Sequence, residues 1–432
     1  MNGFRANASI ASCGVLVLSA AYGLARVADP ARNVTVIAML YLILAFGAAG
    51  GAALLWKRGD RFCIVVLVVV ALGARLALLG SAPFFSLDAY RYVWDAQLIR
   101  NGIDPLVVAP SDPALSAFQT GALYRYIYWR DIPSLYPPLA YALFVAGTLL
   151  PGAGVLGIKA VLAVGDVGAL TAVLVGLQKQ RLPLGRAALY AWSPLVLIEF
   201  GWSGHVESWA VAGIVLATLA APRAHAVCAG GMALAILTKL TPLVLLPVVF
   251  ARNAAGLAAT CAIVAAVYVP LLVHSHGSLG SLGAYAAHQQ FNDTLFLLLR
   301  APGAIAVLGL AVYACTSARY RGAPLVWCVI AIEVVFLAVA PNVLPWYLTI
   351  VVALLPLAAG AFAGPKRSFT LGLVGWTMSA PLAYGAPLVY AGGSLRDACV
   401  RAVEYAPVIV GGLYALYRST KRRAVNAAFV AP

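Results

Sequence analysis

Long apolar runs recur from one end of the chain to the other, and they limit its possible folds more than any other feature. Hydrophobic residues make up 63% of the chain and charged residues 10%, and the mean hydropathy is +0.93. A helix needs about 20 apolar residues to cross a bilayer, so the runs predict an all-α polytopic membrane protein with about 11–13 transmembrane helices. The candidate spans cover residues 8–27, 34–56, 62–80, 155–177, 187–200, 206–221, 254–273, 301–316, 323–340, 346–363, 369–390 and 402–417.

Basic residues lie mainly in the short loops between these runs. The chain has 29 Lys and Arg against 14 Asp and Glu, which gives a net charge of +15. Most of the basic residues fall on one side of the membrane if the N-terminus is cytoplasmic, as the positive-inside rule requires. The charge therefore indicates membrane topology, and we expect no nucleic-acid partner.

We interpret residues 1–432 as a single integral membrane domain. Residues 81–136 form its first large outside loop, in which we expect juxtamembrane helices. Residues 138–150 are apolar but too short to span, so we expect a surface or half-inserted helix there. The stretch LTKLTP interrupts residues 227–250, which predicts two short helices whose turn lies at membrane depth beside a cavity.

The segment after the third run, SLDAYRYVWDAQLIRNGIDP, is unusually rich in charge and aromatic rings. A helix over residues 87–100 would place Asp88, Arg91 and Asp95 on one face, with Tyr90 on a neighbouring stripe. Two interpretations fit this pattern. One is an interfacial helix with an Asp88–Arg91 ion pair and an aromatic belt, and the other is the edge of a catalytic site.

Other polar stretches fall on the same side of the membrane under this topology, at residues 201–209, 274–293, 342–347 and 394–401. Ionisable residues also lie in or beside apolar spans, where they are costly and usually functional. These are Lys159, Asp166, His205, Glu207 and Lys239. The sequence therefore predicts a polar cavity that faces away from the cytoplasm.

The charged segment resembles the first outside loop of GT-C superfamily glycosyltransferases that use polyprenyl-phosphate sugars, especially the bacterial mannosyltransferase-like branch. There an acidic residue precedes Y-R-Y, followed by W-D, a G-[IN]-[ND]-P turn and A-P, and this chain reads SLDAYRYVWDAQLIRNGIDPLVVAP. Similar blocks follow in order: SLYPPLAY (134–141), WSPLVLIEF (192–200), SGHVES (203–208), LTKLTPLVLLP (237–247), FND (291–293) and PWYL (345–348). The resemblance covers residues 60–360. Many relatives have paired acids before Y-R-Y, whereas Leu87 precedes Asp88 here, which disfavours a metal site built on paired acids.

This resemblance implies a GT-C-like helical bundle, multi-pass in the bacterial inner (plasma) membrane, with its active site facing the periplasm or cell exterior. It also implies transfer of a monosaccharide, most often mannose, from a polyprenyl-phosphate donor to an acceptor hydroxyl, with inversion. The expected partners are the lipid-linked donor, membrane lipids, and a glycan, lipid or protein acceptor.

Such a transfer requires a base for the acceptor hydroxyl and cations around the departing phosphate. The resemblance makes Asp88 the candidate general base, with Asp95 as a second acid that orients the acceptor or Arg91. The candidates for contact with the donor phosphate or the substrate are Arg91, Tyr90, His205, Glu207, Lys239, Asn292 and Arg300.

Some of these residues also have structural interpretations. Lys239 has a possible partner in a buried carboxylate such as Asp166. His205 and Glu207 are equally compatible with contact to a ligand and with stabilising their own turn. Lys159 and Asp166 lie seven residues apart on one helix, and we expect them to form a buried network.

Polar and aromatic residues of the later blocks have structural interpretations too. Asn292 and Asp293 are expected to cap the following helix, although the resemblance places them beside the cavity. Tyr136 precedes two prolines, which favours a rigid turn over a ligand contact. Trp346 and Tyr347 are expected to be interfacial anchors.

No cofactor and no resident metal is expected, although a divalent ion is compatible with the chemistry. The chain has no P-loop and no dinucleotide-binding fingerprint. His205 and Glu207 lack a third neighbouring ligand for zinc. The competing interpretations are a multi-pass transporter of a polar or lipid-linked substrate, which the intramembrane charges would also fit, and a ligase or polymerase of lipid-linked oligosaccharides.

Overall fold

The computed structural model describes residues 3–149, 152, 154–221, 223–364, 366–384 and 395–430. In this part of the chain the backbone forms helices and loops without a β-strand, and one isolated bridge joins Phe291 to Asn342. The predicted all-α class is therefore confirmed.

The longer helices are numbered here in chain order. They are α1 (Gly3–Ala25), α2 (Val34–Leu55), α3 (Arg61–Leu79), α4 (Asp88–Arg100), α5 (Pro138–Thr148), α6 (Gly154–Lys179), α7 (Glu207–Ala220), α8 (His225–Thr238), α9 (Ala254–His274), α10 (Leu282–His288), α11 (Thr294–Tyr320), α12 (Leu325–Val339), α13 (Lys366–Ser379) and α14 (Leu395–Val430).

Short helical turns lie between these helices, several of them where proline interrupts an apolar run. In the loop of residues 81–136 they are Pro113–Leu115, Ser116–Gln119 and Ala122–Arg125. Later ones are Leu184–Ala187, Ala188–Ala191, Pro194–Val196, the π-helix Leu197–Ser203, Thr241–Leu245, Leu246–Val249, Pro345–Leu348, Thr349–Leu354, Leu355–Leu357 and Ala380–Tyr384.

Six helices within the described residues are long and apolar enough to cross a membrane. They are Phe4–Ala25, Val34–Leu55, Arg61–Leu79, Gly154–Lys179, Ala254–His274 and Leu295–Tyr320, and shorter apolar helices supplement them. The chain is therefore a polytopic membrane protein. Six is fewer than the predicted 11–13 spans, because several predicted runs fold into shorter or broken helices.

Proline explains two of the broken spans. The run at 187–200 divides into short turns before Pro194, and the run at 346–363 is interrupted at Pro356. A proline lacks the N–H that would continue a helix. In the predicted span 369–390, residues 385–390 lie outside the described part of the chain.

Predicted short helices agree with the structure more closely. The helix expected over residues 87–100 is α4, and the helix expected over residues 138–150 is α5. The segment 227–250 begins with α8, which ends before an extended Lys239 and two short turns. Its interruption at LTKLTP is therefore confirmed.

Close helix packing forms the frame around these short segments. Helix α1 packs on α2 and α3, and α7 packs between α6 and α8. At the α7–α8 crossing, a Cβ atom on Gly213 would lie 2.5 Å from the carbonyl oxygen of Gly231. Small residues permit this approach of two backbones, as is common in membrane helix pairs.

Two buried charged residues of α6 connect this helix to α3. Asp166 contacts a side chain of α3, and Lys159 contacts the backbone at the C-terminal end of α3. Asp166 accepts hydrogen bonds from Nε and Nη2 of Arg75 at 2.6 and 3.0 Å, and one from the Tyr190 hydroxyl at 2.8 Å. Lys159 donates to the carbonyl oxygens of Leu78 and Ser81 at 2.8 and 2.7 Å. Both predicted residues are buried in polar contacts, but they belong to two separate sets of partners and not to one network.

Candidate active site

A cavity of about 390 Å³ opens where the polar stretches of the sequence meet. Its volume is in the range of small-molecule sites, about 300–1,000 Å³. Its lining comes from the loop of residues 81–136, the turn after α8, residues 281–289 and residues 344–346. The lining residues are Leu87, Asp88, Arg91, Tyr128, Trp129, Ile132, Pro133, Ser134, Leu135, Tyr136, Lys239, Ser281, Ala284, Tyr285, Gln289, Leu344 and Trp346.

Asp88 is the only carboxylate among these lining residues. It is the first residue of α4, and its backbone N–H donates to the Ser86 hydroxyl at 3.3 Å. About a third of its side chain, 33%, is exposed, so it can meet a substrate. Burial raises the pKa of Asp88 and Glu207 raises it further, while the cations of His205 and Lys239 oppose the rise.

His205 lies behind Asp88 and is 1% exposed. Its Nδ1 atom is 3.7 Å from Oδ2 of Asp88 and 4.0 Å from Oε2 of Glu207, and its Nε2 atom is 3.3 Å from Oε2 of Glu199. Burial by itself lowers the pKa of His205, but the three carboxylates outweigh it and raise the pKa above the usual value. The buried imidazole is therefore protonated more readily than a free histidine, with three acids around it.

A local change of backbone geometry brings Glu199 under this imidazole. Residues Leu197–Ser203 form a π-helix, which ends at Gly204 with φ +74, and the N–H of His205 donates to the carbonyl oxygen of Glu199 at 3.0 Å. A Cβ at position 204 would lie 2.7 Å from Cγ of Lys159, so the turn requires glycine for space as well as for its positive φ.

Lys239 reaches the cavity because α8 ends at Thr238 and the next residue is extended, with φ −149 and ψ 141. Its Nζ atom lies 2.7 Å from Oε1 of Glu207, and it sits over the rings of Tyr136 and Tyr347 at 5.6 and 5.5 Å. The buried carboxylate that pairs with Lys239 is thus Glu207 and not Asp166, which is committed to Arg75.

The ion pair on α4 joins Arg91 to Asp95 and not to Asp88. Nε of Arg91 donates to Asp95 at 2.8 Å, and its Nη1 and Nη2 atoms donate to the carbonyl oxygens of Trp129 and Ile132 at 3.1 and 3.3 Å. Asp95 is fully buried and also accepts from the Ser134 hydroxyl at 2.6 Å. Arg91 lines the cavity, but much of its hydrogen-bonding capacity serves to fix the loop against α4.

Three other predicted substrate residues lie away from the lining. Tyr90 stacks on Tyr126, with ring centroids 4.7 Å apart. Arg300 is exposed at a break in α11, where its φ is 56. Asn292 is buried and donates to Glu404 at 2.7 Å.

The expected helix cap at Asn292 and Asp293 is wrong. Asp293 occupies the N-cap position of α11 without a side-chain capping hydrogen bond, and its carboxylate instead accepts from Arg401 at 3.1 Å. Side-chain contacts to α14 therefore replace the local cap.

Several residues at the site were not selected from the sequence for a role there. Glu199 accepts hydrogen bonds from the Tyr384 hydroxyl at 3.0 and 2.9 Å, and Trp346 stacks on His205 with centroids 3.9 Å apart. Trp346 and Tyr347 are each 7% exposed, so they are site residues and not the expected interfacial anchors. Glu199 had a recognisable signal, since it is an acid inside the apolar run WSPLVLIEF.

The described side chains contain no group of three or more His, Cys, Asp and Glu residues arranged to hold a metal ion. At the site, the chain's own cations lie between the acids: Lys239 beside Glu207, and His205 beside Glu199. The arrangement supplies one accessible carboxylate, supported by buried cations and walled by aromatic rings.

No curated protein and no solved structure matches the chain significantly. A family model does match: that of the MptA_B family, described as "Alpha-(1->6)-mannopyranosyltransferase, N-terminal domain", over residues 6–273. The match covers more than half of the chain and includes Asp88, Glu199, His205, Glu207 and Lys239. It agrees with the resemblance to GT-C mannosyltransferases and favours an enzyme over a transporter. The chain therefore belongs to the alpha-(1->6)-mannopyranosyltransferase family and is a membrane glycosyltransferase.

Proposed function

We propose that this protein transfers a single mannose residue from a polyprenyl-phosphate donor to an acceptor hydroxyl by a one-step displacement. The observation that carries the proposal is the position of Asp88, the accessible carboxylate of a cavity that also contains Lys239. Family membership supports the sugar, and the absence of a nucleotide-binding motif supports a lipid-phosphate donor.

Asp88 acts as the general base in this reaction. An oxygen of its carboxylate takes the proton of the acceptor hydroxyl while the hydroxyl oxygen forms a bond to the anomeric carbon of the donor sugar. The bond from that carbon to the phosphate oxygen breaks, and the phosphate leaves with the electron pair. Attack opposite the leaving group inverts the anomeric centre. A positioned base of this kind is worth about 10² to 10⁴ in rate.

Lys239 is the lining cation best placed to meet the donor phosphate. One side of its ammonium group is held by Glu207, and aromatic rings flank it, so it enters the reaction in a fixed position. A fixed charge stabilises developing negative charge without reorganisation. Arg91 contributes charge at the same wall while it holds the loop in place.

His205 is a positioning residue and not a substrate ligand. It does not line the cavity, and its two ring nitrogens are buried. Its cation lies close enough to Asp88 to favour the ionised base, and Glu199 and Tyr384 hold the imidazole from behind. The role we assign to His205 is therefore to keep Asp88 able to accept a proton.

Transfer by this route needs no metal ion. Metal ions in other transferases balance phosphate charge, and here Lys239 and Arg91 supply positive charge at the cavity wall. We therefore expect full activity after treatment with a chelator.

The membrane orientation is also a proposal. The basic loops favour a cytoplasmic N-terminus, which would place residues 81–136 and the cavity on the periplasmic side of the bacterial inner membrane. Accessibility of cysteines introduced in this loop to an impermeant reagent in intact cells would test the orientation.

The test uses purified protein, polyprenyl-phosphate mannose labelled in the sugar, and host membranes as the source of acceptor. Label should move to a new product with the wild type and not with Asp88→Asn. The matched control is Asp112→Asn, which changes a capping carboxylate in the same loop and leaves a residue that also caps well.

Three results would contradict the proposal. Wild-type turnover by Asp88→Asn would remove the base assignment. Transfer of a preassembled oligosaccharide and not of mannose would indicate a ligase. Donor movement across vesicles without a new glycosidic bond would indicate a transporter.

A further inference from the structure

Three aromatic side chains at the mouth of the cavity are exposed. Tyr126, Tyr128 and Trp129 are 48%, 59% and 61% exposed, and the last two also line the cavity. We refer to residues 126–129 as the aromatic rim. Contiguous exposed apolar surface beside a cavity can mark a binding surface.

The backbone beneath the rim is firmly anchored. Ile127, between the exposed tyrosines, is 2% exposed and packs with Trp94 and Leu115. Arg91 holds the carbonyl oxygen of Trp129, and Arg130 donates to the carbonyl oxygen of Ile127 at 3.1 Å. The rings therefore project from a fixed edge and not from a loose loop.

Trp129 also has a strained backbone, with φ 56. This conformation is energetically unfavourable for a bulky residue. Such strained residues are found mainly at active sites and ligand-binding sites. The turn at Trp129 keeps two consecutive rings at the cavity mouth. Tyr126 is further supported by its stack on Tyr90.

We propose that the aromatic rim is a carbohydrate-binding subsite that holds a pyranose chain of the acceptor outside the cavity. Pyranose rings have apolar C–H faces bordered by hydroxyl groups, and exposed aromatic rings with polar edges complement both parts. The rim is continuous with the cavity that contains Asp88, so a chain seated on it directs its terminal hydroxyl toward the base. The proposal rests on the proposed function, because it assigns the acceptor side of that reaction.

Binding of a soluble α-1,6-linked manno-oligosaccharide to the purified full-length protein tests the rim without requiring turnover. Trp129→Ala should weaken the affinity about 3-fold to 10-fold, and Tyr128→Ala should have a similar effect. Trp129→Phe, which keeps a ring, should restore most of the affinity. The control is Tyr313→Ala, which removes a more exposed ring on α11, 71% exposed, and should change nothing.

The binding should survive in Asp88→Asn, which separates this proposal from the base assignment. Unchanged oligosaccharide affinity in both alanine variants would overturn the proposal. So would a loss of transfer confined to bilayers, with normal oligosaccharide binding in detergent, because it would make the rim a membrane anchor. If the oligosaccharide binds through the rim but no transfer occurs, the proposed function fails and the subsite stands.

Discussion

The ammonium group of Lys239 lies 2.7 Å from Oε1 of Glu207, and both side chains are largely buried. This pair joins the residue after α8 to the first residue of α7, which lies 32 positions earlier in the chain. A buried ion pair is costly to break because the remaining charge loses its partner. Substitution of Lys239 should therefore change two quantities that can be measured separately, the stability of the fold and the affinity for the donor.

Lys239→Met should destabilise the protein by about 3–5 kcal/mol, because it leaves the Glu207 carboxylate buried without its partner. The double variant Lys239→Met with Glu207→Gln should recover much of that stability. Its KM for the donor should stay raised, because the phosphate still lacks its cation. Thermal unfolding in detergent and donor titration measure the two effects. Full recovery of donor affinity in the double variant would show that Lys239 acts only by holding Glu207.

The pH profile of activity should have an acidic limb whose apparent pKa lies above the usual pKa of an aspartate. A base works only when ionised, so activity is present above the pKa of Asp88 and is lost as the pH falls through it. Burial raises that pKa, which moves the limb toward neutral pH. The measurement is kcat/KM against pH, with stability checked at each value.

His205→Gln should move the acidic limb to higher pH by about 1–3 units, because a cation near a carboxylate lowers its pKa by that amount. Glu199→Gln should produce a shift in the same direction, since it removes an acid that raises the pKa of His205. His225→Gln changes an exposed histidine at the start of α8 and is the matched control. Loss of activity with no shift of the limb would make His205 a purely structural residue.

His205 should also make stability depend on pH. Its pKa is raised in the folded protein, so its contribution is fully present below the unfolded pKa and is lost as the pH rises through the folded one. As the pH rises between these two pKa values, wild-type protein should lose more stability than His205→Gln. Unfolding temperatures of the two proteins across the range measure the difference.

Asp95→Asn should act through the loop and not through the chemistry. It removes the charge that holds Arg91, which in turn fixes the carbonyl oxygens of Trp129 and Ile132. The variant should unfold at a lower temperature and be cut more readily by protease near residues 126–132, while its acidic limb stays in place. Abolished turnover with unchanged stability would instead return Asp95 to a catalytic role.

The sequence was sufficient to predict elements set by local pattern. The helix expected over residues 87–100 is present as α4, and the interruption after α8 follows from LTKLTP. Three polar stretches that the predicted topology placed on one side do line one cavity: the loop of residues 81–136, residues 281–289 and residues 344–346.

Partners of the buried charges could not be predicted, because they depend on tertiary packing. Asp95 and Asp88 are both within reach of Arg91 on an ideal helix, and burial with Ser134 selects Asp95. Glu199 enters the site through a π-helical turn, which shifts side chains out of α-helical register. The sequence suggested that Trp346 is a membrane anchor, because its stacking on His205 depends on the tertiary structure.

The bond between Arg75 of α3 and Asp166 of α6 has a consequence for biosynthesis. The two residues are 91 positions apart, so α3 leaves the ribosome long before its partner exists. An unpaired arginine in a transmembrane helix costs about 2.5–3.5 kcal/mol during insertion. Helix α3 should therefore remain beside the translocon, or return to it, until α6 arrives, and the two helices should enter the lipid as a neutral pair.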